Sequence, residues 1–271
     1  MTGVEAERVT APFGVRVASV TRRSTHGAYV VLACADSDGP RPQAGQFYML
    51  MAATRWGGGE SERPFLPRAF SVMRASTFGR ELQFLLEDVG PGTNRLCELG
   101  PGEDLLLVGP LGAGFEAAGE GRRALLVGGG VGIAPLAIWQ DQLGVGRDPV
   151  TTVLLGFRDH DHSRGATLLA DPVVATDDGT VGHHGLVTDL LVDELDRDAH
   201  AEVYACGPPP MLEAVRALCA ARAVPAQLAL ESGMACGFGA CFGCVVPTRS
   251  GYVRLCIDGP VLEAEQLEQV V

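Results

Sequence analysis

Half of the chain's eight cysteines fall within one short stretch, as Cys236, Cys241, Cys244 and Cys256. This run constrains the fold more than any other feature, because whatever surrounds it must hold a loop open around four sulfurs. The spacing is C-x4-C-x2-C-x11-C. Its first three positions match plant-type [2Fe–2S] ligands, where four thiolates hold two irons. Gly237, Gly239 and Gly243 lie between them, and backbone without Cβ can wrap closely around a cluster. Zinc is an alternative ligand for four cysteines. Zinc ribbons, however, usually pair two C-x2-C knuckles, and here only Cys241 and Cys244 have that spacing. A disulfide framework is the other alternative, but nothing like a secretory signal opens the chain. The final gap is much shorter than in a plant-type ferredoxin, which excludes a simple ferredoxin.

At 271 residues the chain has room for two compact domains and a small appendage. Hydrophobic residues make up 46% and charged residues 20%, an ordinary globular balance. No apolar run approaches the roughly 20 residues that a membrane helix needs, so a soluble protein without a membrane partner is expected. Scattered cysteines at 34, 97, 206 and 219 suit a reducing cytoplasm. The net charge of −12 argues against a nucleic-acid surface, which calls for clustered cations. All 21 cationic side chains are arginine, and the absence of lysine excludes a P-loop or a Schiff base.

The rhythm of the sequence divides it into three, at 1–112, 113–230 and 231–271. In the first part, Val15–Val20, Ala28–Ala33, Gln46–Met51, Phe70–Met73, Glu81–Leu86 and Asp104–Val108 are short β-rich runs, which predicts a sandwich or barrel. The stretch Arg55–Pro67 reads as an exposed loop. In the second part, Ala124–Val127, Thr152–Leu155, Val203–Ala205 and Gln227–Leu230 alternate with helical patterns, which predicts a parallel α/β sheet. Met211, Leu212, Val215, Leu218 and Cys219 share one helix face there. The third part is the cysteine module.

Leu125 to Pro135 reads as strand, glycine turn and helix start. Gly128, Gly129, Gly130 and Gly132 would let a pyrophosphate approach the backbone at a helix N-terminus. Cys206-Gly207-Pro208 ends a later strand of the same part. Ligands of open α/β sheets bind at the carboxyl ends of strands, so both turns can face one nucleotide pocket. Cys206 taken alone reads as a buried small hydrophobe. In the first part, Arg68-Ala69-Phe70-Ser71 offers a cation, an aromatic ring and a hydroxyl, the groups that a flavin dinucleotide requires. Gly90-Pro-Gly92-Thr93 offers backbone N–H groups to a phosphate.

As a set, Arg68-x-Phe70-Ser71, Gly92-Thr93, the turn at 128–132 and Cys206-Gly-Pro resemble the ferredoxin–NADP reductase superfamily. With the cysteine run, Gly109–Phe115, the glycine-rich Asp177–Thr188 and Cys256-x-Asp258-Gly259-Pro260-Val261, the chain resembles the electron-transfer subunits of two-subunit, NAD-dependent dihydroorotate dehydrogenases over essentially its full length. The resemblance implies a Greek-key antiparallel β-barrel holding FAD, an α/β parallel-sheet domain holding NAD, and a small C-terminal [2Fe–2S] module. It implies FAD contacts at Arg68, Ala69, Phe70 and Ser71, at Leu85, Leu86 and Glu87, and at Gly92 and Thr93. It implies cluster ligands Cys236, Cys241, Cys244 and Cys256. One departure is Ala69-Phe70, where this subfamily often carries proline and an aliphatic residue.

The partner so implied is an FMN-containing dihydroorotate dehydrogenase catalytic subunit, in a heterotetramer with two of each. Electrons would pass between its FMN and NAD through the cluster and FAD, in pyrimidine biosynthesis. No catalytic base is assigned in this chain. Electron-transfer subunits of other oxidoreductases share the three modules and form the nearest alternative. A zinc-stabilised nucleotide-binding regulator is the alternative of a different class. His183 and His184 read as surface loop, and His160-Asp-His162 as solvated. Gly156-Phe-Arg158-Asp159 follows a strand where the adenosine ribose is expected, an acid there favouring NAD and Arg158 a 2′-phosphate.

Overall fold

The computed structural model describes residues 14–57, 64–76, 80–144 and 151–270. The middle of the loop expected over Arg55–Pro67 lies outside them. Six strands close a barrel: β1 (Arg16–His26), β2 (Tyr29–Ala35), β3 (Phe47–Ala52), β4 (Arg68–Ala75), β5 (Glu81–Glu87) and β6 (Asp104–Leu111). Their spatial order is β1-β2-β5-β4-β3-β6, with every pairing antiparallel. Strands β3, β4 and β5 are successive neighbours and β6 returns beside β3, which is a Greek key. All six β-rich runs of the sequence fall on these strands. Strand β2 is buried along all but its last residue, because its outer side is covered as well: Tyr29 packs edge-on against His162 and tilted against Phe157.

Residues 90–93, read as a turn, begin a short helix instead, α1 (Pro91–Cys97). Proline at the first helical position loses no hydrogen bond, since that N–H has no partner inside the helix.

The second domain begins with β7 (Arg123–Gly129), α2 (Ile133–Leu143), β8 (Thr151–Phe157), α3 (His160–Ser163) and β9 (Pro172–Thr176). It continues with β10 (His183–His184), α4 (Val187–Arg197), β11 (Ala201–Cys206), α5 (Pro209–Arg222) and β12 (Ala226–Ala229). The sheet order is β10-β9-β8-β7-β11-β12, all parallel. The chain moves outward from β7 to β10, then resumes at β11 on the other side of β7. The sheet therefore has its switch point between β7 and β11, where a crevice opens at the carboxyl ends. Both strands are almost wholly buried, as expected of parallel strands covered on two faces. On α5 the expected apolar face is present, with Leu212, Val215 and Cys219 fully inside.

The last part holds a hairpin, β13 (Val245–Thr248) and β14 (Gly251–Arg254), and a strand β15 (Val261–Glu263). Strand β15 pairs antiparallel with β12 and so extends the nucleotide-domain sheet. Cys244, Val246, Leu255 and Cys256 pack in one cluster with Leu125 and Val127 of β7 and with Met49 and Leu111 of the barrel. The cysteine module has no core of its own. It is wedged into the joint between the other two parts.

The two turns at the switch point are pressed together. A Cβ on Gly132 would lie 2.6 Å from the Cys206 carbonyl oxygen and from the Gly207 backbone, atoms that cannot swing aside. Gly132→Ala is therefore expected to cost about 1–3 kcal/mol, the range for overpacking a tight interior. A lowered urea midpoint for the α/β domain would show it, and an unchanged midpoint would mean that the turns are not in contact.

Candidate functional site

Two cavities meet where the barrel, the parallel sheet and the cysteine loop converge. The first, of about 260 Å³, is lined by Arg68, Ala69, Phe70 and Ser71 of β4, by Leu85 and Thr93, and by Phe47 of β3. Its far wall is Val131, Gly132 and Pro135 of the glycine turn and α2, with Glu231, Ser232 and Met234 at one end. The Arg68 guanidinium lies directly over Gly92, where a Cβ would fall 2.6 Å from its Nε. It also donates to the Leu66 carbonyl and sits 5.9 Å from the Trp56 ring centre. Thr93 Oγ1 accepts from the Val89 N–H and donates to the Gly90 carbonyl, which pins the loop beneath. The result is a slot with a cation and a hydroxyl at one end and Phe47, Phe70 and Leu85 along its walls. A flat aromatic ring system with an anionic tail fits that donor set.

The second cavity, of about 660 Å³, lies over the switch point. Gly129, Gly130 and Gly132 line it from one turn, and Gly207, Pro208, Pro209 and Met211 from the other. The two turns thus share one pocket, as the strand-end argument expects. Arg158, Asp177, Leu186 and Thr188 form its outer part, and Tyr29 and Glu87 reach in from the barrel.

Some expected contacts lie elsewhere. Leu86 is fully buried in the barrel core, and Glu87 faces the second cavity rather than the flavin-shaped slot. Gly128 lines neither cavity; a Cβ there would meet Ile133, Leu136 and Leu155 at 3.0 Å, so it lets α2 pack on the sheet. Cys206 is 2% exposed and packs in the core, the reading its residue type alone suggests. Burial, followed by the nearby Glu231 carboxylate, holds its thiol far above the ordinary range, so it is neutral. His183 and His184 are exposed. His162, read as solvated, is buried among Glu87, Asp159 and Arg158.

Glu231 is the residue that sequence reasoning missed. Val131, Gly132 and Glu231 alone are common to both linings, and Glu231 alone among these can ionise. It is open to solvent in the cleft yet walled by protein, and that burial raises its carboxyl above the usual range. Its position just beyond the end of β12 is the signal that could have found it, since strand ends face the crevice.

The cysteine loop flanks the first cavity through Ser232 and Met234. Cys244 and Cys256 are buried, Cys236 half-buried and Cys241 exposed. Backbone N–H groups point at the sulfurs: Gly239 donates to Cys256 Sγ at 3.2 Å, Gly243 to Cys241 Sγ at 3.4 Å, and Cys256 to Cys244 Sγ at 3.5 Å. Burial pushes the Cys236 thiol up, but N–H groups of Cys241, Phe238 and Ala240 and the Cys241 thiol outweigh it and bring the group down to about 7. Burial and then the Cys244 thiol push Cys256 up to about 12. The interactions therefore pair Cys236 with Cys241 and Cys244 with Cys256. Among the described residues no three metal-ligating side chains gather round one point. Two pairs of thiols suit a binuclear cluster, in which each iron takes two thiolates, better than one tetrahedral zinc. Gly237, with φ of 81°, sits against Met49 and Leu111, where a Cβ would come within 2.5 Å of Met49 Cγ. The loop is thereby seated on the barrel beside the first cavity.

Residues 231–268 match the model of the iron–sulfur cluster binding domain of dihydroorotate dehydrogenase B. The chain is 40% identical over 213 residues to the electron-transfer subunit of dihydroorotate dehydrogenase B (NAD(+)) from a Geobacillus species, across 75% of this chain and 80% of that one. It is 38% identical to the subunit of the same name from Caldanaerobacter subterraneus, across 84% and 88%. Among solved structures it superposes on a NADH-dependent reduced ferredoxin–NADP oxidoreductase with TM-score 0.74 and 25% identity, covering 94% of this chain and 91% of that chain. A ferredoxin–NADP reductase from Neisseria gonorrhoeae shares the fold, with TM-score 0.56 and 20% identity over 74% of this chain and 88% of that one.

Cys241 is the exposed ligand candidate and carries little of the core. Cys241→Ser is expected to lose bound iron and acid-labile sulfide while keeping most of the flavin, both assayed on anaerobically purified protein. Equal loss of iron and flavin would mean that loop and barrel stand or fall together.

Proposed function

The chain belongs to the family of dihydroorotate dehydrogenase B (NAD(+)) electron-transfer subunits, and we propose that it passes electrons between the FMN of a dihydroorotate dehydrogenase catalytic subunit and NAD. The observation that carries this reading is the meeting of three sites at one joint. The flavin-shaped slot, the nucleotide cavity and the four-cysteine loop touch one another through Glu231, Ser232 and Met234.

In this reading Arg68, Ala69, Phe70, Ser71, Leu85, Gly92 and Thr93 hold FAD, the guanidinium against its pyrophosphate and the aromatic residues along its ring. Gly129, Gly130, Gly132, Gly207 and Pro208 hold NAD at the switch point, and Cys236, Cys241, Cys244 and Cys256 hold the [2Fe–2S] cluster. Bound there, the flavin converts between a two-electron hydride donor and one-electron carriers, and the cluster supplies the single-electron exchange. The protein's part is distance, orientation and field. Gly132 lets the two turns close up, so the two cavities adjoin at Val131, Gly132 and Glu231, where flavin and nicotinamide would have to come into contact for hydride transfer. Glu231 is the ionisable group at that junction, and burial raises its carboxyl above the usual range. N–H groups aimed at the sulfurs favour the thiolates and raise the cluster's potential relative to a loop without them.

Cys241 is exposed, as are its chain neighbour Phe242 and, within the same module, Tyr252 and Ile257. Exposed apolar side chains in the module that carries the cluster support docking of a partner subunit on it. We place the complex in the cytoplasm, as a heterotetramer acting in pyrimidine biosynthesis. No helix among the described residues is long and apolar enough to cross a membrane. The solved relative named as a ferredoxin–NADP oxidoreductase shares the architecture. The 40% identity to a dihydroorotate dehydrogenase subunit favours the present reading.

Protein purified without oxygen is expected to show flavin and iron–sulfur bands together. Mixed with a dihydroorotate dehydrogenase catalytic subunit, it is expected to support dihydroorotate-dependent reduction of NAD⁺. Absence of both chromophores would sink the redox reading, and reduction of ferredoxin without any orotate-linked turnover would transfer the chain to the other class of subunit.

A further inference from the structure

Strands β8 and β9 are parallel neighbours with Phe157 opposite Thr176. Arg158 and Asp177 are therefore the next pair, just beyond the carboxyl edge of the sheet. The backbone agrees: the Asp177 N–H donates to the Phe157 carbonyl at 3.0 Å and the Asp178 N–H to the Arg158 carbonyl at 3.3 Å. A guanidinium and a carboxylate at adjacent places on adjacent strands would ordinarily pair, and here they do not.

Arg158 lines the cavity but is turned toward the barrel rather than toward Asp177. Its Nη2 donates to Glu87 Oε1 at 2.9 Å, at the end of barrel strand β5, and its Nε donates to His162 Nδ1 at 3.2 Å. His162 in turn lies 3.2 Å from Glu87 and 2.7 Å from Asp159, so the barrel carboxylate holds the arginine within a network of four side chains. Asp159 is consumed in the same way, since its Oδ1 also accepts the His162 N–H and so caps α3. Asp178 is occupied by Thr180. Asp177 is exposed, lines the 660 Å³ cavity, and among the described residues receives no hydrogen bond or ion pair at its carboxylate.

The outer end of the nucleotide cavity thus presents a free acceptor beside a cation already engaged by Glu87. A ribose with a free 2′-hydroxyl can donate to Asp177. A 2′-phosphate would bring about two negative charges against that carboxylate, and would have to compete with Glu87 for the Arg158 guanidinium. We propose that Glu87, a residue of the FAD barrel, is a specificity-determining residue for the nucleotide: by holding Arg158 across the domain boundary it leaves Asp177 to accept NAD(H) and reject NADP(H). Rejection built from a withheld cation is specificity by disfavouring the wrong partner. This rests on the reading of the second cavity as the nucleotide site. It also reassigns Glu87, which family resemblance alone would make a flavin contact.

The test uses the full-length FAD-loaded protein, with NADH and NADPH oxidation followed against an artificial one-electron acceptor and FAD content measured beside it. Glu87→Gln is expected to raise the NADPH-to-NADH ratio of kcat/KM about three- to fivefold, the worth of one largely exposed ion pair, chiefly through a lower KM for NADPH. Asp177→Asn should shift the ratio in the same direction. Adding Arg158→Ala to Glu87→Gln should cancel the gain, which shows that the freed arginine produces it. An unchanged ratio in Glu87→Gln with FAD retained would overturn the proposal, as would loss of FAD with an unchanged ratio, which would return Glu87 to the flavin. If the wild-type protein saturates with neither nucleotide, the reading of the cavity itself fails, a result distinct from either of these.

Discussion

Everything in the site depends on a contact that contains no side chain, the approach of the Gly132 turn to the backbone at Cys206 and Gly207. Adjacent parallel strands stand about 4.8 Å apart, which leaves no space for a Cβ between turns that leave them in opposite directions. Once those turns touch, the carboxyl ends of β7 and β11 form one rim, and the same rim serves two cavities. Gly132 and Val131 line both of them. Two cofactors would then meet at that shared rim, held by backbone that has fixed dipoles and little freedom to rearrange as charge moves between them.

The cysteine loop uses the same joint. It buries no core of its own, so its order comes from surfaces it borrows: Met49 and Leu111 from the barrel and Leu125 and Val127 from the sheet. Strand β15 ties its far end to β12. A cluster held in this way cannot shift relative to the slot without unpacking both domains. That coupling explains how four thiols, one of them exposed, can be kept in two fixed pairs by a segment with only a two-stranded hairpin to itself. The exposed pair member Cys241 is what such an arrangement leaves facing outward, toward a second protein.

Much of this was legible in the residues. The six barrel strands, four strands of the sheet and the apolar face of α5 were readable because their burial has a period, and the cysteine run because its spacing is chemical. What was not legible had no local signal. Pro91 sits between two glycines, which masks the helix start that a proline at the first position can signal. Strand β9 is five residues long, and β10 two, too short for periodicity to separate them from loop. Glu231 was in view at the head of the cysteine run but reads as an ordinary surface acid until the sheet order puts the end of β12 in the crevice. Leu86, Gly128 and Cys206 belong to motifs whose neighbours face the cavities. The motif located the turn or strand correctly, while the alternation of side chains and the packing of α2 decided which members point inward.

Glu87 shows why a residue-by-residue transfer of roles has a limit. Its predecessor Leu86 is buried in the barrel core, while Leu85, two residues back and on the same strand face, borders the flavin slot. Nothing in the strand itself says that the next residue serves the other cavity. That follows from three separate placements: the end of β5 abuts the start of α3, Arg158 and Asp177 stand side by side, and Glu87 is the carboxylate that wins the arginine. The competition has a physical basis. Pairing with Glu87 also satisfies His162, which is buried and would lose a charged partner if Arg158 turned back to Asp177. A barrel strand that borders the flavin slot through Leu85 thereby reaches, through Glu87, the charged end of the nucleotide cavity in the neighbouring domain.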